Sequence, residues 1–475
     1  MSKHTSHIVT DLSWGCSGKD EVIFWLLDKY RDNIVIRCNG GPQSRFFEET
    51  FNPESTNIPQ FSQYSTAILY PETDTFISDS VLVSLSILEK EAKLLSKIGV
   101  IDPWKRLIIH KDCNIISRYH MLTEKISVCF SNQMKKGIGL GINGCIDGWY
   151  ADPDTSITIS DLLDDSNVFK NKVKSYTDII LPFISKLAES GDIRAGIYCK
   201  KLKEVTTDSF IEATFENYVS ILKNYRVEDN SFINKHFSEN SHSIFDNYGG
   251  VLLDNNYGFS ENEFHVDLKD KTAFKLLKQS QVKNIDIHHV GVVKSYSTSH
   301  GKHPLPTETK NYNDCWTDKF TTQKQNQGLV RHGAIDLSLL QYALNILGNV
   351  TELAVTALDD MANLPEEIYW PMVNAYELSG KPWRIPIKDS RKLNRDIKGI
   401  LYKVNPVYIK NSTKNIADFL KLIKTNLQLP ITMTVAGITR REVEHYDLET
   451  QDTMFLGKSK LVRRPPRGNN RHSWY

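Results

Sequence analysis

Residues 7–39, HIVTDLSWGCSGKDEVIFWLLDKYRDNIVIRCN, decide the fold class. The apolar run HIVTDLSW ends in the turn Gly15-Cys16-Ser17-Gly18, helical spacing follows at Val22, Phe24, Trp25, Leu26 and Leu27, and NIVIRCN is a second β-rich run. Strand, glycine turn, helix and strand in such a short span make a βαβ unit, and its crossover requires parallel strands. At the turn, Gly15, Ser17, Gly18 and Lys19 can present backbone N–H groups, a hydroxyl and an ammonium to an anion, and the helix N-terminus adds partial positive charge. This is not a Walker A loop, because no second glycine precedes it at the required spacing and Asp20 follows Lys19. A tight strand-to-helix turn with a surface lysine is the plain alternative. Asp20 in the first helical turn favours the dipole without any ligand. Cys16 reads as a small buried filler or as a thiol made more acidic by the helix N-terminus.

Outward from this unit the alternation continues. Spacing predicts helices over 80–98, 168–188, 208–224, 270–280, 335–346 and 413–427, and strands over 106–110, 249–254, 286–294, 352–357 and 430–436. The expected fold is therefore α/β, a large mainly parallel sheet flanked by helices, forming one domain over 1–446. Residues 225–245 are polar and turn-rich and read as an insertion or loop, and 447–475 as a basic C-terminal tail.

Composition narrows the function classes. Lys+Arg total 58 against Asp+Glu 57, so no global field points to nucleic acid or an anionic membrane. No run of apolar residues is long enough to span a bilayer, and the N-terminus is too polar for a signal peptide. The seven cysteines are scattered and lack a C-x-x-C pair, which argues against a disulfide framework or zinc site and for a reducing, cytoplasmic location. The tail carries Lys458, Lys460, Arg463, Arg464, Arg467 and Arg471 with Trp474 and Tyr475. Such a segment is either solvated or a docking element for an acidic protein or RNA.

Several blocks, in chain order, carry a resemblance. DLSWGCSGKDE (11–21) with NIVIRCNGGPQSRF (33–46), IFDNYGGVLLDNNYG (244–258), GVVKSYSTSHGKHPLPTE (291–308), NQGLVRHGAIDLSLLQYAL (326–344), LAVTALDD (353–360) and ITMTVAGITRRE (431–442) resemble the adenylosuccinate synthetase family. The first loop and QGLVRHGAIDLSLL look most like the divergent branch with the phage 2-aminoadenylosuccinate synthetases. The resemblance implies a P-loop-type nucleotide-binding fold, a homodimer, Mg²⁺ and a nucleoside triphosphate, GTP or ATP/dATP. It also implies ligation of aspartate to a 6-oxopurine nucleotide through phosphorylation of O6. In ordinary members a loop aspartate takes the N1 proton and helps hold Mg²⁺, and a histidine acts as general acid toward O6.

This chain departs at those positions. Cys16 replaces the loop aspartate, Phe46 stands at the general-acid histidine, and Arg45 at a glycine whose carbonyl reaches the metal. Gly141 and Asn143 replace a threonine and an arginine, Ser299 an arginine, and Ala357 the lysine beside the guanine-contacting aspartate. Losing a general base or acid costs roughly 10²–10⁴-fold each, so ligation of IMP is expected to be absent or very weak. A 2-amino-6-oxopurine such as GMP or dGMP would fit beside the small Cys16. Asp20, Ser17, Arg45, Glu48 and Glu49 are candidate substitutes for metal and proton work. Lys19, Gly18, Gly40, Gly41, Asp359, Gly437 and Arg440 match nucleotide-contacting positions, as Gly249 does more loosely. Glu308, Arg331 and Asp336 match positions that look architectural. The alternative function is a catalytically inactive nucleotide-binding homologue acting as sensor, regulator or interaction subunit.

Overall fold

The computed structural model describes residues 4–30, 33–42, 46–47, 60–130, 140–189, 193–260, 271–280, 282, 284–309, 329–362, 370–387, 391–409 and 415–436. The apolar runs of the sequence become the strands of a nine-stranded sheet among these residues. They are β1 (His4–Asp11), β2 (Asn33–Arg37), β3 (Asp74–Ile77), β4 (Leu107–His110), β5 (Arg226–Glu228), β6 (His242–Gly250), β7 (Ile285–Lys294), β8 (Glu352–Thr356) and β9 (Ile431–Thr434). Their order is β9-β8-β7-β1-β6-β2-β3-β4-β5, and every pairing is parallel. The expected parallel α/β architecture is what the chain adopts.

Alternate side chains of each central strand reach opposite layers, which is why these runs are apolar throughout. On one face Val9, Val35, Val290 and Val292 pack against Val22, Ile23, Leu26 and Leu27 of helix α1 (Lys19–Lys29). On the other, Ile8, Ile34, Ile36 and Phe245 pack against Ile233, Phe237, Ala273 and Leu276, from the helices Asn230–Glu239 and Lys271–Gln279. A parallel sheet places its strand-end loops together at the carboxyl edge, where ligands of such sheets bind.

Four expectations need correction. Residues 225–245 are not a loop: they supply β5, the helix Asn230–Glu239 and the start of β6. Asp229 caps that helix by accepting from the N–H of Ser231 at 2.9 Å, while only Ile233 and Phe237 of it are buried. The strand expected over 249–254 ends at Gly250, and Val251–Leu253 form a 3₁₀ turn. The helix expected from 80 begins at Leu85 and that expected from 335 begins at Leu337. Ile335–Asp336 belong instead to a second small sheet with Met372–Leu378, Lys381–Trp383 and Asn405–Tyr408.

Two buried contacts hold this edge. Gly250 lies where an added Cβ would fall 2.2 Å from the Ser13 carbonyl and 2.4 Å from the Gly15 nitrogen. Both are backbone atoms, so neither can swing away. Asp336 caps the helix Leu337–Leu347 by accepting the Leu339 N–H at 3.1 Å, and the Tyr376 hydroxyl donates to its other oxygen. Burial lifts the Asp336 carboxyl to about 6 against the pull of those donors.

Gly250→Ala should therefore lower stability by about 2–4 kcal/mol in denaturant titrations. Gly348→Ala should cost only about 1–2 kcal/mol, from the left-handed backbone alone, because nothing lies within 4 Å of its Cβ position. Equal losses would show that the approach of Gly250 to Ser13 is not tight. Asp336 supplies a pH test. Between about pH 4 and 6 the folded chain holds its proton more firmly than the unfolded chain does, so its stabilisation falls as pH rises and levels off above 6. Unfolding free energies of wild type minus Asp336→Asn should decline across that window and be flat beyond it.

Candidate functional site

The turn after β1 is built around a carboxylate not singled out in the sequence. Asp11, fully buried at the end of β1, accepts the N–H of Ser13 at 2.7 Å on one oxygen and that of Ser17 at 2.8 Å on the other. Burial raises its carboxyl, and these N–H groups oppose the shift. From the opposite side the Thr356 hydroxyl, at the end of β8, donates to the Ser17 carbonyl at 2.6 Å. Gly15 and Gly18 take the left-handed backbone that closes the turn, with φ +87° and +77°. Gly18 is the N-cap residue of α1, so Lys19 and Asp20 open the helix as expected.

The charges below the turn are mutually engaged. The Lys19 ammonium pairs with Asp246 of β6, and the Asp246 carboxylate also lies 3.9 Å from the guanidinium of Arg37. Arg37, fully buried on β2, donates to the carbonyls of Ser62 and Gln63, both at 2.7 Å. Asp20 is half-buried, with Oδ1 enclosed and lacking a hydrogen-bond partner. Burial pushes its carboxyl well above the usual range, Lys19 draws it down and Asp246 raises it further. An enclosed, unpartnered carboxylate oxygen beside a phosphate-type turn has the donor chemistry Mg²⁺ takes, since that ion needs only one or two carboxylates besides phosphates and water. No cluster of three metal-binding side chains occurs among the described residues.

Cys16 is half-buried rather than a core filler, and its Sγ lies 3.2 Å from His300 Nε2, at the end of the strand Ser297–His300. Position 300 gave no signal in the sequence, because the contact forms only when β7 pairs with β1 and carries the hairpin beyond it to the turn. His303 stacks flat on Trp14, with ring centroids 5.0 Å apart at 8°. Burial drives that imidazole down to about 3, so it stays neutral.

The remaining residues distribute as follows. Gly40, at the end of β2 with φ +84°, lies against the Tyr248 ring, where a Cβ would come within 2.6 Å. Gly41 sits against Leu82 and Ile142, which brings Asn143, in the first turn of the helix Ile142–Ala151, to the same edge. Gly249 is the penultimate residue of β6, with φ +85°. Asp359 follows β8 in the short helix Leu358–Ala362, with Oδ1 buried and unpartnered, while its neighbour Asp360 accepts from the Tyr296 hydroxyl at 2.8 Å. Ala357, before it, holds a left-handed φ of 57°. Arg331, on the strand Val330–Gly333 that pairs antiparallel with Ser297–His300 to make a hairpin, pairs with Glu308 at 2.6 Å and also donates to the His303 carbonyl, tying this hairpin to the segment that follows His300. Asp336 is the helix cap already described. Phe46 lies in a two-residue strand with Phe47, paired to Gln60–Phe61. Arg45, Glu48, Glu49, Gly437, Arg440 and the tail 447–475 lie outside the described residues.

Loops after β1, β2, β6, β7 and β8 thus meet at one edge of the sheet. Two solved structures share this architecture. Fully ligated adenylosuccinate synthetase from Plasmodium falciparum superposes with a TM-score of 0.70 at 18% identity, covering 94% of this chain and 100% of that one. Succinoaminodeoxyadenylate synthetase of cyanophage S-2L, bound to dGMP and dATP, superposes at 0.54 with 10% identity, covering 93% and 95%. In sequence, the adenylosuccinate synthetase of Thermodesulfovibrio yellowstonii is 27% identical over 92% of this chain and 97% of its own length. That of Halothermothrix orenii is 25% identical over the same shares. No helix among the described residues is long and apolar enough to cross a membrane. The adenylosuccinate synthetase family model matches residues 8–444, and the chain belongs to that family of purine-nucleotide C–N ligases.

Proposed function

We propose that this chain is a purine-nucleotide ligase of changed range, joining aspartate or another amine to a 2-amino-6-oxopurine nucleotide such as GMP or dGMP. The observation that carries the reading is the turn Gly15–Lys19, with its two left-handed glycines and lysine retained and a small, half-buried thiol at Cys16. An uncrowded position there leaves room for a 2-amino group. The cyanophage protein of the same fold, solved with dGMP and dATP, is compatible with that choice.

In this reading Gly15, Ser17, Gly18 and Lys19 bind phosphate, and Lys19 exchanges its Asp246 partner for the anion. Gly40, Gly41, Asn143 and Gly249 allow the nucleotide to approach the backbone, and Asp359 accepts ring N–H groups of the purine of one nucleotide. Gly437 and Arg440 belong to the same base-contacting group, and the Arg45 carbonyl to the metal side. Asp20 would hold Mg²⁺, which spreads charge on the transferring phosphoryl group when bound. GTP or ATP/dATP serves as phosphoryl donor. The chain works as a homodimer in a reducing cytoplasm, and its basic tail is left for a protein or RNA partner.

The test is phosphate release with mass detection of the succinylated nucleotide, comparing IMP, GMP and dGMP with each triphosphate. Product from GMP or dGMP, with little from IMP, is expected. Robust IMP turnover would overturn the substrate assignment, and tight binding without product in every arm would favour the inactive nucleotide-binding alternative. Lys19→Ala should weaken nucleotide binding by about tenfold or more, the size of a lost charged hydrogen bond. Asp359→Asn should change base preference by about 1–3 kcal/mol while leaving phosphate dependence intact. An unaltered preference in calorimetry with guanine and adenine nucleotides would reduce Asp359 to a turn residue.

A further inference from the structure

The Cys16–His300 contact joins two chemically active side chains, and Cys16 stands where the family resemblance implies an acceptor of the purine N1 proton. We propose that Cys16 and His300 form a thiol–imidazole pair that takes the N1 proton of the purine. This inference rests on the ligase reading.

Geometry supports it on three counts. The two atoms are 3.2 Å apart, close enough to share one proton. Both residues are half-buried, so the pair is neither sealed in the core nor fully hydrated. Cys16 also lies three residues before Lys19, in a turn held on both sides, with the Ser17 N–H taken by Asp11 and the Ser17 carbonyl by Thr356. The pair therefore has a fixed position relative to any nucleotide bound there.

The proton balance closes without another reactant. Before reaction the pair is neutral overall and holds one proton, either on sulfur or on the ring. The purine N1–H bond breaks and its electron pair moves into the ring. O6 then bonds to the γ-phosphorus as the bond to the departing nucleoside diphosphate breaks. The released proton leaves a thiol and an imidazolium, whichever of the two atoms first received it. Because the groups are coupled, the titration belongs to the pair. The charged and titratable groups around it are Tyr248, which faces Cys16 from β6, and His303, which faces His300 from the following turn. Arg331 and Lys398 lie behind His303.

Two measurements separate this inference from the ligase reading. The first needs no turnover: rates of Cys16 alkylation by iodoacetamide against pH, read at the Cys16 peptide by mass spectrometry. In the wild type the rate should rise with an apparent midpoint near the imidazole range, about 6–7, and His300→Gln should move it toward the free-thiol value of about 8.5. Identical profiles would overturn the pair, whatever the protein ligates. The second is the pH profile of kcat with the preferred nucleotide. The acid limb should fall at about 6–7 rather than near 4, where a carboxylate base would put it. His300→Gln should lower kcat by about a hundredfold or more with KM for the nucleotide nearly unchanged. Cys16→Asp should shift the limb toward the carboxylate range. A coupled thiol in a protein that ligates no nucleotide would overturn the proton-transfer role and the ligase reading while keeping the pair. Ligation with kcat insensitive to His300→Gln would overturn the role alone.

Discussion

The tie between the Asp11 carboxylate and the amides of Ser13 and Ser17 is the constraint on which the site depends. A chain leaving a parallel strand has to reverse before its helix can pack back on the sheet, and the reversing amides have no ladder partner. One buried carboxylate takes two of them, and Thr356 takes the Ser17 carbonyl from β8. The turn is therefore bolted to its own strand and to a strand two places away in the sheet. Gly250 completes the arrangement from β6 by bringing backbone against backbone, which only a residue without Cβ permits. Everything placed on the turn inherits this rigidity: the start of α1, the direction of Lys19 and the position of Cys16.

The charges beneath the turn follow from that rigidity. Lys19, Asp246, Arg37 and Asp20 converge where water has little access, and a buried ion pair is held only if its partners remain balanced. Asp246 serves both cations, which leaves Asp20 as a second carboxylate whose Oδ1 has no hydrogen-bond donor among the described residues. Burial pushes its carboxyl well above the usual range, and Asp246 adds to the rise against the pull of Lys19. On the phosphate-binding reading proposed above, the added negative charge is met best when Lys19 turns toward the anion and Asp20 meets a cation. The site is thus balanced for the unliganded chain, and its balance has to change on binding.

How much of this could be read from the sequence varied with the range of the signal. The β1–turn–α1–β2 unit was plain because two periodicities and a glycine turn lie within one local stretch. The helix Asn230–Glu239 was missed because only Ile233 and Phe237 of it reach the core, and ten mostly polar residues look like a loop. Asp11 was passed over because an aspartate at a strand end resembles any turn former. Its role appears only when both oxygens are seen to be occupied. His300 lies far from Cys16 in the chain, and no local pattern announces a contact between the turn after β1 and a strand that follows β7. The family itself was legible because its blocks keep their chain order, and the matching model spans almost the same residues.

Two histidines reach the opening turn, and their surroundings assign them opposite parts. His303 lies flat on Trp14, and its burial holds the ring neutral down to about 3, so it cannot carry a proton near neutral pH. Its backbone carbonyl instead accepts from Arg331, which in turn grips Glu308. That rigid packing piece fixes the hairpin on which His300 sits. His300 is presented at the hairpin's end, half-exposed, toward a sulfur that has itself been held in place by the Asp11 turn. Exchanging a loop carboxylate for a thiol removes a permanent negative charge from the turn. In the proposed pair, the imidazole beside that thiol supplies a proton acceptor without supplying that charge. On the ligase reading proposed above the consequence is electrostatic as well as steric: a neutral acceptor would not repel the incoming phosphates, and it would leave the 2-amino edge of the purine free of a bulky carboxylate.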